Sequence, residues 1–322
     1  MILYLAPLQG FTDYPFRNSY VKFFTGFDIA IAPFISALPG GRFKKKEMRD
    51  VQPEKNTILP VIPQIMGNDP DDFAAVANRL YDYGYETVNW NLGCPFKMVA
   101  KKKRGSGLLC FPEDIRSFLE KALPMMKTTL SIKMRLGRHS EDEMYTLLPM
   151  LNDFPIDEIT IHPRTGVQMY DGSVHLDYFE KALELSKHPV IYNGDITDLQ
   201  SFKTLKDRFK GVDKWMIGRG VLSDPFLPMT IKKEYGIIQK DLTENKTSIV
   251  KKYHDDYYQR RLEYLCGPAH LTDRMKAFWF YLSGSFENGE LFFKKVKKAK
   301  DTDQYYNLVE AFFDSEPEWI CQ

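Results

Sequence analysis

Cys94 stands between Gly93 and Pro95, directly after the run Thr87–Asn91. Glycine and proline together force a sharp turn, and a thiol at the apex of such a turn projects from the chain. A free thiol, with a pKa of about 8.5, is mostly protonated at neutral pH. Cys94 can therefore donate a proton as a general acid, or act as a nucleophile if its pKa is lowered. The plainer reading, a small buried hydrophobe, suits Cys110 better. Lys133 lies inside the largely apolar run Thr129–Arg135. A buried ammonium without a partner is costly, so Lys133 calls for a structural ion pair, a Schiff-base role or an electron-rich cofactor atom to hold. His162, two residues from Arg164, can contact a phosphate or a ring, or can be satisfied within the core. Gly194, in Asn193-Gly194-Asp195, and Gly218 and Gly220, on either side of Arg219, offer backbone N–H groups to an anion, with Arg219 adding a charge-assisted contact. Tight turns alone would also use these glycines.

These residues need a frame that brings them to one place. Short apolar runs predict strands at 2–6, 28–32, 60–66, 87–91, 129–135, 158–162, 189–193 and 214–218. Amphipathic segments lie between most of them, such as 71–83, with Phe73, Val76, Ala77 and Leu80 at helical spacing, and 113–123, started by Pro112. Alternation of strand and helix implies a parallel sheet, and eight such units fit an α/β fold of the (β/α)8 TIM-barrel type. A doubly wound sheet is disfavoured, because no G-x-G-x-x-G follows the first strand. In such a barrel the active site lies at the C-terminal ends of the strands, where Pro7-Leu8-Gln9, Gln64, Asn91, Cys94, Lys133, His162, Asn193 and Gly218 all fall. Beyond about residue 240 strand-like runs cease. Helices are predicted at 248–265, 272–283 and 303–313, giving a catalytic barrel over 1–241 and a small helical domain over 242–322.

The chain has 322 residues, with Lys+Arg 44 against Asp+Glu 43, a formal charge of +1. Net charge therefore gives no sign of a nucleic-acid partner; local clustering does. Basic clusters stand at Arg42 and Lys44–Lys46, at Lys101–Arg104 and between Lys294 and Lys300, where they could meet phosphates or simply remain solvated. The four cysteines, Cys94, Cys110, Cys266 and Cys321, are scattered with no C-x-x-C, which argues against a zinc site or a disulfide framework. No apolar run reaches the ~18 residues of a membrane helix and the first residues lack a basic secretory leader, so a cytoplasmic protein with no membrane partner is expected.

Together these residues resemble the tRNA-dihydrouridine synthase family over essentially the whole chain. The resemblance is carried by Asn91-Leu92-Gly93-Cys94-Pro95, followed by the basic loop 97–104 and Gly105-Ser106-Gly107-Leu108-Leu109. It is carried further by the opening 5–17, by Lys133-Met134-Arg135-Leu136-Gly137, by His162-Pro163-Arg164-Thr165 with Tyr170-Asp171-Gly172, and by Asn193-Gly194-Asp195. Leu8 stands where a Met is common and Pro163 where relatives often have a small residue. The resemblance implies an FMN-binding barrel with a C-terminal tRNA-binding domain. Pro7, Leu8 and Gln9 would lie along the isoalloxazine, Gln64 at its pyrimidine edge and Lys133 at its N1/O2 side, with His162 also touching the cofactor. Asn193, Gly194, Asp195, Gly218 and Arg219 would hold its phosphate. NADPH would reduce the flavin, which passes hydride from N5 to C6 of a uridine oriented by Asn91, while Cys94 delivers the proton to C5. Lys103, Arg104, Arg274 and Lys276 would contact the D-loop region of tRNA, Arg274 and Lys276 within a stretch, 274–279, that mixes charge with aromatics and is most similar to the bacterial branch acting on position sixteen. A monomer is expected.

Three other readings differ in what they require. A flavin barrel reducing a free pyrimidine or small enone has no need of the helical tail. A non-enzymatic RNA-binding barrel needs neither flavin nor Cys94. A Schiff-base aldolase would use Lys133 on a carbonyl substrate.

Overall fold

The computed structural model describes residues 1–239, 244–264 and 268–321. They form two compact units. The first comprises Met1–Gly10, Asp28–Gly194 and Lys206–Met216; the second comprises Phe11–Phe27, Asp195–Leu205 and Ile217–Gln322. The domain boundary expected at 241/242 lies outside the described residues.

The sheet has ten strands: β1 (Ile2–Leu5), β2 (Ile29–Ile31), β3 (Ile35–Ser36), β4 (Val61–Ile62), β5 (Gln64–Met66), β6 (Thr87–Leu92), β7 (Thr129–Gly137), β8 (Ile159–Thr165), β9 (Val190–Asn193) and β10 (Lys214–Ile217). Their order is β3-β5-β6-β7-β8-β9-β10-β1-β2-β4, and the neighbouring pairs with a defined register are parallel. The two ends of that order are joined by the chain itself. β4 and β5 are one strand interrupted at Pro63, and β2 and β3 pair with β4 and β5 respectively. Proline has no N–H to give the ladder, while its carbonyl still accepts from the Asn89 N–H at 2.9 Å. With each split strand counted once, the sheet closes into the eight-stranded barrel expected from the repeating units. Each predicted run forms a strand, but β7 and β8 extend past 135 and 162 to Gly137 and Thr165, which pair across a register shift after Arg135.

Period-two alternation sorts the side chains. Along β6, Val88, Trp90 and Leu92 face the outer helices; Trp90 stacks on Phe118 at 4.1 Å and meets Phe73 edge-on at 5.9 Å. Asn89 and Asn91 consequently face inward. In register beside them, Asn89 pairs with Ser131 and Asn91 with Lys133, Lys133 with Thr160, and Arg135 with His162. The inner face is apolar where Tyr4, Ala6, Ile31, Ile191 and Met216 pack and polar along β5 to β8.

The second unit is helical: Tyr14–Phe23, Arg219–Ser223, Leu227–Glu234, Lys246–Tyr264, Pro268–Leu282, Gly289–Val296 and Thr302–Asp314. The helix Gly289–Val296 was not expected; its lysines hide a short buried face of Phe292 and Val296. Trp279 is the centre of the core, edge-on to Phe292 at 4.7 Å and donating from Nε1 to Tyr305 Oη at 2.9 Å. Phe278 is buried too, against Tyr253 and Tyr257. The two aromatics of 274–279 are thus core residues that offer RNA no stacking face, while Arg274 and Lys276 are half-buried.

One buried ion pair ties the first helix of this unit to the long one. Arg261 donates from Nη1 and Nη2 to the two carboxylate oxygens of Asp13 at 2.7 and 2.5 Å, and from Nη2 to Tyr257 Oη at 2.6 Å. Removing one partner of a buried pair strands the other charge, at a cost of about 3–5 kcal/mol. Asp13→Ala is therefore expected to lower the unfolding free energy by that amount in urea titrations. A loss under 1 kcal/mol would mean that water replaces the carboxylate.

Candidate active site

Inside the barrel the polar side chains of β5 to β7 form a line. Asn91 Nδ2 donates to Gln64 Oε1 at 2.7 Å, Gln64 Nε2 to Asn89 Oδ1 at 2.7 Å, and Asn89 Nδ2 to Ser131 Oγ at 2.8 Å. All four are buried. Each amide has two N–H donors, so Gln64 and Asn91 each retain one for a further acceptor. The Asn91 oxygen is already occupied, accepting the backbone N–H of Gly93 at 3.1 Å and of Cys94 at 2.9 Å.

That contact begins the clasp around Cys94. The Cys94 carbonyl accepts both the Ser106 N–H at 3.0 Å and the Ser106 hydroxyl at 2.9 Å. Gly105, at φ +55°, has no room for a side chain: a Cβ there would lie 2.8 Å from the Cys94 Cβ. Arg138 Nη1 donates to Pro95 O at 2.9 Å and to Ser106 Oγ at 3.1 Å, and Arg135 Nε donates to Gly93 O at 3.0 Å. Arg138 is itself set by Glu143, whose carboxylate accepts the backbone N–H groups of Arg138, His139 and Ser140 at 2.8, 2.9 and 3.1 Å. Burial pushes the Cys94 thiol pKa up, against the opposing pull of the Phe96 N–H and of Arg135 and Arg138. The thiol is therefore protonated at neutral pH, as a proton donor must be.

Lys133 stands two residues before Arg135 on the inward face of β7. Lys133 is half-buried by its surface exposure; no hydrogen bond or ion pair holds its ammonium among the described residues, and desolvation, then the Arg135 charge, brings its pKa down to about 7. Arg135 is fixed by Thr165 O at 2.8 Å and Met169 O at 2.6 Å and lies over the Tyr170 ring at 5.3 Å. On β8, His162 Nε2 lies 3.1 Å from Arg164 Nη1, and Arg164 Nη2 donates to Gly172 O at 2.6 Å. Gly194 closes on the same histidine: a Cβ there would come within 3.3 Å of the His162 Cδ2 and 3.0 Å of Val174. Asn193 Nδ2 donates to Met216 O at 2.9 Å.

Among the sequence-predicted residues, the first unit thus gathers Gln64, Asn91, Cys94, Lys133, His162, Asn193 and Gly194 on the inner face or upper edge of its strands. Pro7, Leu8 and Gln9 follow the end of β1. In the second unit, Asp195 adopts φ +43° and accepts from Arg219 Nη2 at 3.0 Å. Gly218 precedes the short helix that begins at Arg219. Lys103 and Arg104 have partners of their own: the exposed Lys103 pairs with Asp114 at 3.0 Å and lies over Phe111 at 4.0 Å, and the half-buried Arg104 donates to Asn68 Oδ1 at 2.9 Å. Lys276 donates to Ala299 O at 2.6 Å, and Arg274 is partly buried. Sequence reasoning gave no role to Asn89, Ser131, Arg138 or Glu143. The alternation Ser131-Lys133-Arg135 is the signal that could have raised Ser131; nothing local marks Arg138.

A sequence profile described as "Dihydrouridine synthase (Dus)" matches residues 4–315. The chain is 29% identical over 97% of its length, and 92% of the relative's, to tRNA-dihydrouridine synthase B of Pasteurella multocida (strain Pm70). It is 32% identical to tRNA-dihydrouridine synthase B of Serratia marcescens over 70% of this chain and 66% of that one. In fold it is similar to an old yellow enzyme homologue from Zymomonas mobilis, with a TM-score of 0.52, 12% identity, and coverage of 78% of this chain and 91% of that one.

Two measurements test these electrostatics. Because the Arg138 charge opposes the effect of burial on Cys94, Arg138→Gln should raise the thiol pKa further. The midpoint of the pH dependence of Cys94 alkylation by iodoacetamide then moves up; an unmoved midpoint would remove Arg138 from the thiol's field. Lys133 holds its proton to about 7 in the fold against 10.5 in the free side chain. Between those values the unfolded chain binds more protons, so this group's contribution to stability rises with pH and is lost as pH falls toward 7. In flavin-free protein, Lys133→Met should raise Tm near neutrality and by less at about pH 9. An equal gain at both would show that the ammonium is not dehydrated.

Proposed function

This chain belongs to the dihydrouridine synthase family, and we propose from that premise that it reduces a D-loop uridine of tRNA with NADPH, through FMN, using Cys94 as the proton donor. At the coarser level it is a flavin-dependent NAD(P)H oxidoreductase that forms dihydrouridine in tRNA. The single observation that supports the finer reading is the arrangement along β6 and β7: Asn91, whose oxygen anchors the Cys94 backbone, stands in register beside Lys133, whose inward ammonium has no partner among the described residues.

The inner face fits a flavin. An electron-rich ring beside Lys133 answers the ammonium's lack of an anion, and the remaining N–H donors of Gln64 and Asn91 can reach carbonyl oxygens. When bound, FMN supplies the hydride chemistry. Pro7, Leu8, Gln9, Gln64, Lys133 and His162 are proposed to hold its ring system and Asn193 and Gly194 its phosphate end, while Asp195, Gly218 and Arg219 are assigned to the phosphate from the family resemblance alone. Lys133 places positive charge where negative charge accumulates on reduction. Cys94 keeps its proton at Sγ until C5 of the uracil can take it. Asn91 both anchors the Cys94 backbone and offers its last N–H to a uracil carbonyl. Since the base must leave its stack to reach Sγ, the loops that follow β6 and β7 determine how it enters.

Lys103, Arg104, Arg274 and Lys276 are proposed as tRNA contacts, with position sixteen as the expected uridine. The protein is proposed to act as a cytoplasmic monomer; among the described residues no helix is long and apolar enough to cross a membrane.

The test is dihydrouridine formation on tRNA isolated without that modification, with NADPH or NADH as reductant and mapping of the changed nucleotide. Product at one D-loop position supports the reading. Product elsewhere, or a yellow protein that oxidises NADPH and leaves tRNA unchanged, overturns it. Cys94→Ala is expected to retain flavin and lower turnover by ~10²–10⁴-fold, the usual cost of losing a general acid. Wild-type turnover must also fall as pH rises through the raised thiol pKa, because only the protonated form donates.

A further inference from the structure

The segment that follows Cys94 carries apolar surface where a soluble enzyme has little reason to show it. Phe96 is 56% and Met98 70% exposed, on either side of the exposed Lys97 at the start of the one-turn helix Lys97–Ala100. The backbone N–H of Phe96 reaches the Cys94 thiol, so the aromatic side chain is carried by the residue that touches the reactive atom. The charges around it divide into two kinds. Lys103 and Arg104 are engaged, with Asp114 and Asn68. Lys97, Lys101 and Lys102 are exposed and form no ion pair among the described residues. An exposed ring and thioether among unneutralised ammonium groups match a partner that offers a flat π-face and phosphates together. A single unstacked nucleotide offers both; an apolar protein surface would bury the three charges.

We propose that Phe96 is a stacking platform for the nucleotide next to the target uridine, with Met98 extending the apolar surface and Lys97, Lys101 and Lys102 holding the flanking phosphates. The proposal rests on the tRNA reading above and adds the residues that hold the neighbour of the flipped base. It also adds to the phosphate contacts of this loop three lysines whose charge no carboxylate engages among the described residues. Base–aromatic stacking is sequence-tolerant but needs a ring, so the contribution of Phe96 depends on its π-face and not on its apolar area.

The test uses full-length flavin-loaded protein and a fluorescein-labelled, unmodified tRNA transcript, with affinity read by anisotropy across a salt series. Phe96→Ala and Phe96→Leu should both weaken binding by about tenfold, the order expected of one stacked base, while Phe96→Trp binds at least as well as wild type. The triple replacement Lys97→Gln, Lys101→Gln, Lys102→Gln should lower the slope of log K against log salt by about 2, since each phosphate contact to single-stranded RNA contributes about 0.7. Wild-type affinity in Phe96→Leu overturns the stacking role, because leucine keeps the apolar bulk without the ring. An unchanged slope in the triple variant overturns the phosphate role. Concentration-dependent dimerisation that Phe96→Ala abolishes would reassign the patch to a second copy of the chain. A wild-type protein that makes no dihydrouridine fails the underlying reading; one that makes it while Phe96→Ala and Phe96→Leu bind normally fails this inference alone.

Discussion

Polar side chains that face the interior of a parallel barrel are cut off from water and must satisfy one another. In this chain they do so in a line from Asn91 through Gln64 and Asn89 to Ser131, and the line stops short of Lys133. Strand alternation makes that juxtaposition unavoidable: once Val88 and Trp90 turn to the outer helices, Asn89 and Asn91 must turn in, and the register with β7 brings Ser131 and Lys133 beside them. The amides use most of their hydrogen-bonding capacity on each other and hold rigid positions. Among the described residues the ammonium has no such neighbour, and burial presses it toward neutrality. A site with a cation that no described residue answers, at the end of a satisfied polar row, is predisposed to bind something electron-rich there.

The thiol is governed by a different balance. Burial favours its protonated form, and the two arginines on β7 and just beyond limit that effect while their N–H groups hold the carbonyls of Gly93 and Pro95. The same guanidinium groups thus set both where the sulfur sits and how firmly it keeps its proton. Glu143 matters at one remove: by collecting the N–H groups of 138–140 it fixes the turn from which Arg138 reaches out.

The strands were legible because each is a short run of β-branched and large apolar residues bounded by polar or glycine signals, and the barrel followed from their number and alternation. Pro63 was in plain view within 60–66, yet its consequence, the split into β4 and β5, depends on which neighbour lacks a donor and cannot be read locally. The helix Gly289–Val296 was hidden because its last turn opens the basic cluster between Lys294 and Lys300, which reads as a charged surface patch. Around the candidate site, Cys94 and Lys133 were conspicuous through contrast with their immediate neighbours. Arg138 and Glu143 look ordinary in sequence; their relevance arises from contacts such as Arg138 to Pro95, between residues far apart along the chain. For the same reason the engagement of Lys103 and Arg104 was invisible, since Asp114 and Asn68 lie outside the basic run.

The clasp around Cys94 joins local partners to sequence-distant ones: Asn91 lies three residues from Cys94 and Ser106 twelve, while Arg135 spans 42 residues to Gly93 and Arg138 spans 43 to Pro95. Closing such long loops is entropically expensive before β6, β7 and β8 have paired. During refolding, helical content and compaction therefore precede the moment at which the sulfur acquires its final surroundings. Until those strands have paired, the sulfur lacks the contacts that fix its place and its electrostatic surroundings in the native fold.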